Sequence, residues 1–313
     1  MDTPLAELGA ESPIPAAQPR PAAWRRVLRN WSVRIGGAVL VLLVLVSLLA
    51  PWLGTIEPTL IDPVNRDLLP GAHAEVMLLT GETFDHTFLM GSDSYGRDIY
   101  SRVLYGGRVS LVVGIAVAAL SLCFGLVIGL AAGYLRTVDA VVMRAMDGLM
   151  AIPGILLAIA LVALWRASVW TVIVAITVPE VPRVVRLVRS LVLSIREEPY
   201  VEAAVSVGTR TVPMLYRHVL PNTVAPLIVQ GTYICASAIL VEAILSFLGV
   251  GLPTDIPTWG NIMAEGRLQF QQFPHNVLFP GIFLALTVLA VNMLGDGLRD
   301  TLDPRFSKRG DRP

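Results

Sequence analysis

Four acidic residues, Asp147, Glu180, Glu242 and Asp296, fall within or at the edges of long apolar stretches. A carboxylate there is expensive and so a functional candidate by default. Arg144, Arg183 and Arg299 are near in sequence, so Asp147, Glu180 and Asp296 are expected at the membrane interface, satisfied by water or arginine. Glu242 lies nearer mid-helix and either hydrogen-bonds across helices or faces a pathway. Residues for covalent or metal chemistry do not come together. His73, His86 and His275 have no ligand spacing and are read as solvated loop residues, and no His-Glu-x-x-His occurs. A phosphate-cradling Gly-x-x-x-x-Gly-Lys-[Ser/Thr] is also missing, and the one lysine is Lys308. Gly91-Ser92 carries no triad signature. Cys123 and Cys235 both sit in apolar runs, which excludes a disulfide framework.

The elements that must position these residues are membrane spans. The 313-residue chain is 54% hydrophobic with a mean hydropathy of +0.66. Charged residues make up 15%, well below the roughly 25% of soluble domains. Net charge is zero, which argues against a basic nucleic-acid binder. Residues 1–23 hold five prolines and are expected to be a disordered tail. The apolar run 35–53 is about 28 Å long as a helix, close to the ~30 Å hydrocarbon core. A cleaved signal peptide is the rival reading, and the late start and length favour a retained span. Five further spans are expected near 109–135, 142–164, 169–190, 224–249 and 278–298. The fourth of the six is interrupted by Pro179, Glu180, Pro182 and Arg183.

With the N-terminus inside, the inner segments hold 18 basic residues and the outer segments 5. That excess predicts six spans with both termini cytoplasmic. The resulting organisation is a tail over 1–23, a first span with a long acidic outer loop over 24–108, a five-helix core over 109–306 and a tail over 307–313. Span two carries Gly125-x-x-x-Gly129-x-x-x-Gly133, suited to close helix approach, either inside this subunit or against another.

The inner loop 191–223 reads as two short helices at a sharp angle. Pro199 suits a first helical turn, and Glu197, Glu198 and Glu202 favour its positive end. Gly208 can end that helix in the left-handed conformation. Thr211 is expected to cap the second helix, Pro213 to sit in its first turn and Pro221 to stop it. Ala203 and Ala204 leave a flat surface that a partner could approach; an ordinary interfacial amphipathic helix is the alternative.

Glu202-Ala203-Ala204, three residues, Gly208, nine residues, then His218-x-Leu220-Pro221 resembles the EAA loop of binding-protein-dependent ABC importer permeases. Those permeases usually have a hydrophobic residue where this chain has His218, and the peptide branch commonly carries His there, followed by Ile/Val-Leu-Pro-Asn. Gly91-Ser-Asp93-Ser-Tyr-Gly96-Arg97-Asp98, Glu242 with Ser246-Phe-Leu-Gly-Val-Gly251, Trp259-Gly-Asn261 and Leu302-Asp-Pro-Arg305 are similar to the second permease subunit of the dipeptide/oligopeptide/nickel family. The likeness spans roughly 24–306, and Trp165 to Trp170 depart from the Gly/Pro-rich turn of that family.

The resemblance implies an all-α integral membrane protein with six transmembrane helices and the type I ABC importer permease fold, in a bacterial inner membrane. It implies a non-catalytic subunit importing di- or oligopeptides, with ATP and Mg held by one or two separate cytoplasmic ATPase subunits. Glu202, Ala203, Ala204, Gly208, His218, Leu220 and Pro221 are then the ATPase-coupling residues. Gly91, Asp93, Gly96, Arg97 and Asp98 are the expected contact for an extracytoplasmic substrate-binding protein, and a homologous second permease completes the pathway. The motifs do not separate dipeptides, longer peptides, nickel complexes or other small solutes. A secondary transporter is less well supported because no internal repeat is evident.

Overall fold

The computed structural model describes residues 27–78 and 80–302. The two expected tails, Arg305 and Lys308 lie outside them. Nine helices and one hairpin account for the regular structure among the described residues, apart from short 3₁₀ turns. They are α1 (Trp31–Leu48), β1 (Ala72–Met77), β2 (Thr83–Phe88), α2 (Ile99–Tyr134), α3 (Arg136–Met150), α4 (Gly154–Leu164), α5 (Val169–Arg196), α6 (Pro199–Ser206), α7 (Thr211–Phe247), α8 (Trp259–Gly266) and α9 (His275–Leu302). The antiparallel β1–β2 hairpin pairs Ala72 with Phe88 and Met77 with Thr83, so the chain is not purely helical.

Among the described residues, α1, α2, α7 and α9 are long and apolar enough to cross a bilayer, and α3 with α4 forms a bent fifth candidate. The expected single span 142–164 is corrected here. It breaks at Ala151–Pro153 into two helices that meet at 88°. Pro153 lacks an N–H and disfavours helical geometry in the residue before it. Helix α5 is a sixth long helix, and it keeps Pro179 and Pro182 inside. Helix α2 begins at Ile99, ten residues before the expected start at 109, because Asp98 caps it through Ser101 N at 2.9 Å.

Helix α2 is the central post. At 36 residues it spans about 54 Å, so its two ends lie well apart. Its Gly125, Gly129 and Gly133 face Val184, Val188 and Val192 of α5, which fall at the same four-residue interval. A Cβ on any of these glycines would lie under 3 Å from the opposing valine, so the glycine series serves packing within this subunit. Gly114 admits α7 at Ile239 in the same way. Helix α9 packs on α1 and α7. Gly36 of α1 meets the backbone of α9 at Ala290, and Gly295 meets Thr232 of α7.

Candidate functional site

At one end of α2 lies the segment 197–222 that holds the expected coupling residues. Pro199 opens α6, with Glu198 at its N-cap and Glu202 in the first turn. The helix closes by a Schellman pairing: Thr209 N donates to Ala204 O at 3.1 Å and Gly208 N to Val205 O at 2.8 Å. Gly208 has φ +85° with no other group near its hypothetical Cβ, so the requirement is backbone conformation alone. Val201 drops into the core beside Met214, Val219 and Ile195, all buried. Glu202, Ala203 and Gly208 stay exposed, and Ala204 is half-buried. Around them Tyr200, Val205, Val207, Val212 and Tyr216 are exposed, an apolar collar unusual for a surface that meets only water.

Two expectations for this loop are corrected. Arg210, and not Thr211, occupies the N-cap of the next helix, and no side chain caps it. Pro221 does not stop the helix, which runs on to Phe247. A π-helical turn over Leu215–Val219 precedes the proline, with Leu220 N bonded to Leu215 O five residues back. The widened turn relieves the clash of Pro221 with the carbonyl four residues earlier. Asn222 then donates to the His218 carbonyl at 2.7 Å and to the Tyr200 hydroxyl at 3.2 Å. The Tyr200 and His218 rings lie 6.1 Å apart. His218 and Asn222 of α7 thus meet Tyr200 of α6, while Leu220 and Pro221 lie within α7 itself; Tyr200, Val201 and Asn222 belong to the site although spacing alone did not single them out.

At the other end of α2, Gly91 to Asp98 form a tight buried turn. Gly91 and Gly96 have φ near +80°, and a Cβ on Gly96 would collide with the Asp62 carbonyl. Asp93, Arg97 and Asp98 are buried, so these side chains are not offered to a partner as exposed groups. Asp93 takes Arg97 at 2.8 Å and Arg102 at 2.6 Å, and both arginines reach Glu265 of α8 at 2.5 Å. Glu265 lies 168 residues from Arg97 along the chain, and no local spacing pointed to it. Trp259 Nε1 donates to Val103 O at 3.0 Å, and the Asn261 amide gathers the carbonyls of Leu252, Pro253 and Ile256.

Between the two ends, Glu242 is fully buried. It accepts from Ser246 at 2.9 Å and, across helices, from Ser110 of α2 at 3.4 Å. Glu180 pairs with Arg183 as expected. Asp147 instead takes Arg186, and Asp296 takes Tyr233 of α7. Arg189 forks onto Asp139 of α3. His86 and His275 are largely enclosed, and not solvated as expected, with His86 Nε2 3.6 Å from Asp98.

Four long apolar helices with exposed apolar faces, and the bent α3–α4 pair, mark an integral membrane protein. The chain belongs to the family described as binding-protein-dependent transport system inner membrane component, whose model matches residues 121–308. Residues 21–70 match the N-terminal TM domain of oligopeptide transport permease C. The chain is 49% identical over 281 residues to a protein of Sinorhizobium fredii named as a probable peptide ABC transporter permease, covering 90% of this chain and 91% of that one. It is 39% identical to a dipeptide transport system permease protein of Alkalihalophilus pseudofirmus, with 95% and 93% covered. It is 38% identical to a glutathione transport system permease protein of Escherichia coli, with 90% and 89% covered. Among solved structures, the MetNI methionine ABC transporter in inward-facing conformations is similar with a TM-score of 0.45 and 21% identity, over 61% of this chain and 94% of that chain.

Proposed function

We propose that this chain is one of two permease subunits of an ATP-driven importer of di- or oligopeptides, with six spans, both termini cytoplasmic and the type I permease fold, in a bacterial inner membrane. The second permease is a homologue. One or two cytoplasmic ATPase subunits bind ATP and Mg, and this chain catalyses nothing itself. The observation that carries the reading is the presentation of α6: its Glu202–Ala203 face is exposed inside an apolar collar, while Val201 and the Tyr200–Asn222 link tie it to α7. A push on this helix is transmitted to α7 as a unit, since packed cores shift between discrete arrangements and do not deform continuously. ATP binding then biases one of two states, inward-open or outward-open.

An extracytoplasmic substrate-binding protein docks at the opposite end, on the outer loop over the Gly91–Asp98 turn. There Asp93, Arg97 and Asp98 act from within by fixing the shape of the surface. The peptide cargo is supported by the names of the similar permeases. The test is co-purification of this chain with its neighbouring gene products, followed by ATP hydrolysis with and without the binding protein. A stable complex whose hydrolysis rises with the loaded binding protein supports the reading, and a chain that transports alone contradicts it.

A further inference from the structure

Helix α5 carries three charged residues, Glu180, Arg183 and Arg186, in its middle third. That is deeper than the interface expected for Glu180 and than the inner segment expected for the two arginines; without them the inner excess is still 16 basic residues to 5. Its 28 residues span about 42 Å, and Arg183 falls at the midpoint, roughly 21 Å from Val169. Val184, next to Arg183, lies against Gly125, which falls near the middle of the uncharged stretch 109–135 expected as span two. The side chains at this level are not enclosed by the subunit: Arg183 is 56% exposed, Arg186 46% and Asp147 of α3 60%. Arg144, with no acidic partner within ion-pair distance among the described residues, is exposed on the same amphipathic helix.

Exposed charges at mid-bilayer depth do not face lipid, because the cost is several kcal/mol each and is relieved only by water or a partner. The lipid side at this depth is marked by other residues. Phe124 and Val127 of α2 are 53% and 63% exposed and apolar. Helix α3 fits the same division. It buries none of its residues and is tied to α5 through Asp147–Arg186 and Asp139–Arg189, the pattern of a helix with water on one side.

Resting on the permease reading above, we propose that Asp147, Arg183 and Arg186, with Glu180 behind them, line a water-filled translocation pathway along the α3–α5 face. The wall carries two cations and two anions, so a polar solute meets both signs and neither is excluded. The Glu180–Arg183 and Asp147–Arg186 pairs keep the wall neutral when no cargo is present.

The test is thiol accessibility in the assembled transporter. In a background of Cys123→Ser and Cys235→Ser, single variants Arg183→Cys, Arg186→Cys and Asp147→Cys are compared with Phe124→Cys and Val127→Cys at similar depth. A membrane-impermeant methanethiosulfonate is added to both faces of membrane vesicles, with and without ATP plus vanadate. A hydrated thiol ionises and reacts whereas one in hydrocarbon does not, so the pathway variants label at least about ten-fold faster in one nucleotide state. Labelling of all three no faster than Phe124→Cys in both states overturns the proposal. Asp147→Cys, on the separately held α3, reports even if an arginine variant does not insert. ATP-driven uptake by the unmodified chain is measured alongside; its absence speaks against the permease reading, whereas unlabelled thiols beside normal uptake speak against the pathway face alone.

Discussion

Gly129 of α2 stands so close to Val188 of α5 that a Cβ added to the glycine would lie 2.6 Å from the valine Cβ. The same approach recurs one turn above and one turn below, so the two helices share a seam of small against β-branched residues. This contact fixes how far α5, and with it the α6 helix that follows it, can stand from the central post.

Gly129→Leu therefore forces the seam apart and costs about 1–3 kcal/mol or more by overpacking. Gly129→Ala is harmed less. Adding Val188→Gly to Gly129→Ala removes the opposing Cβ but empties a fully buried site, so the double variant is less stable than Gly129→Ala alone. Thermal unfolding of the detergent-solubilised complex measures all three.

Glu265→Ala leaves Arg97 and Arg102, both buried, sharing Asp93 alone. Breaking one partner of a buried network costs about 3–5 kcal/mol, and apolar replacement of matched partners costs less. The expected order of melting temperature is wild type, then Arg102→Met with Glu265→Met, then Glu265→Ala. A Glu265→Ala protein that melts with the wild type contradicts the network.

Glu242→Gln keeps an acceptor for Ser246 and retains transport, because the buried carboxyl acts as a cross-helix acceptor. Glu242→Leu strands two hydroxyls and costs about 1–3 kcal/mol. Uptake and stability of the two variants separate this role from one in the pathway. A Gln variant that folds normally and does not transport would contradict it.

Gly208 needs its left-handed backbone and has free space around it. Gly208→Asn is accordingly the mildest substitution, since Asn tolerates that region. Gly208→Ala costs about 1–2 kcal/mol, a factor of roughly 5 to 30 in the population of the closed turn. Uptake falls in the order Gly, Asn, Ala, Val at constant membrane level; equal uptake by all four removes the conformational argument.

Much of this architecture was legible where local chemistry decides it. Pro199, Glu202 and Gly208 mark the start, dipole and end of α6 within one segment, and the structure places all three as read. The limits are equally specific. Pro221 looked like a stop, but a wide turn four residues upstream and the Asn222 side chain accommodate it. Pro153 sits inside an apolar run that reads as one span over 142–164, and the chain turns there into two helices at 88°. The glycine series declared close packing without naming its partner, because the matching Val184, Val188 and Val192 lie on another helix. Gly91 to Asp98 looked like a surface because its true counter-charge, Glu265, is brought near only by the fold. Family membership was legible from motif spacing, which outlasts these tertiary details.

The central claim is that α6 conveys ATPase motion into the bundle. The most direct test is uptake by proteoliposomes of the complete transporter bearing Glu202→Lys, using a peptide that the wild-type complex carries, with ATP hydrolysis followed in the same vesicles. Reversing the charge at the positive end of α6 removes a favourable dipole contact worth about 0.3–1 kcal/mol and places a cation on the exposed face. The account predicts normal insertion with uptake lost and hydrolysis no longer raised by the binding protein. Wild-type uptake by a normally inserted Glu202→Lys transporter would contradict it.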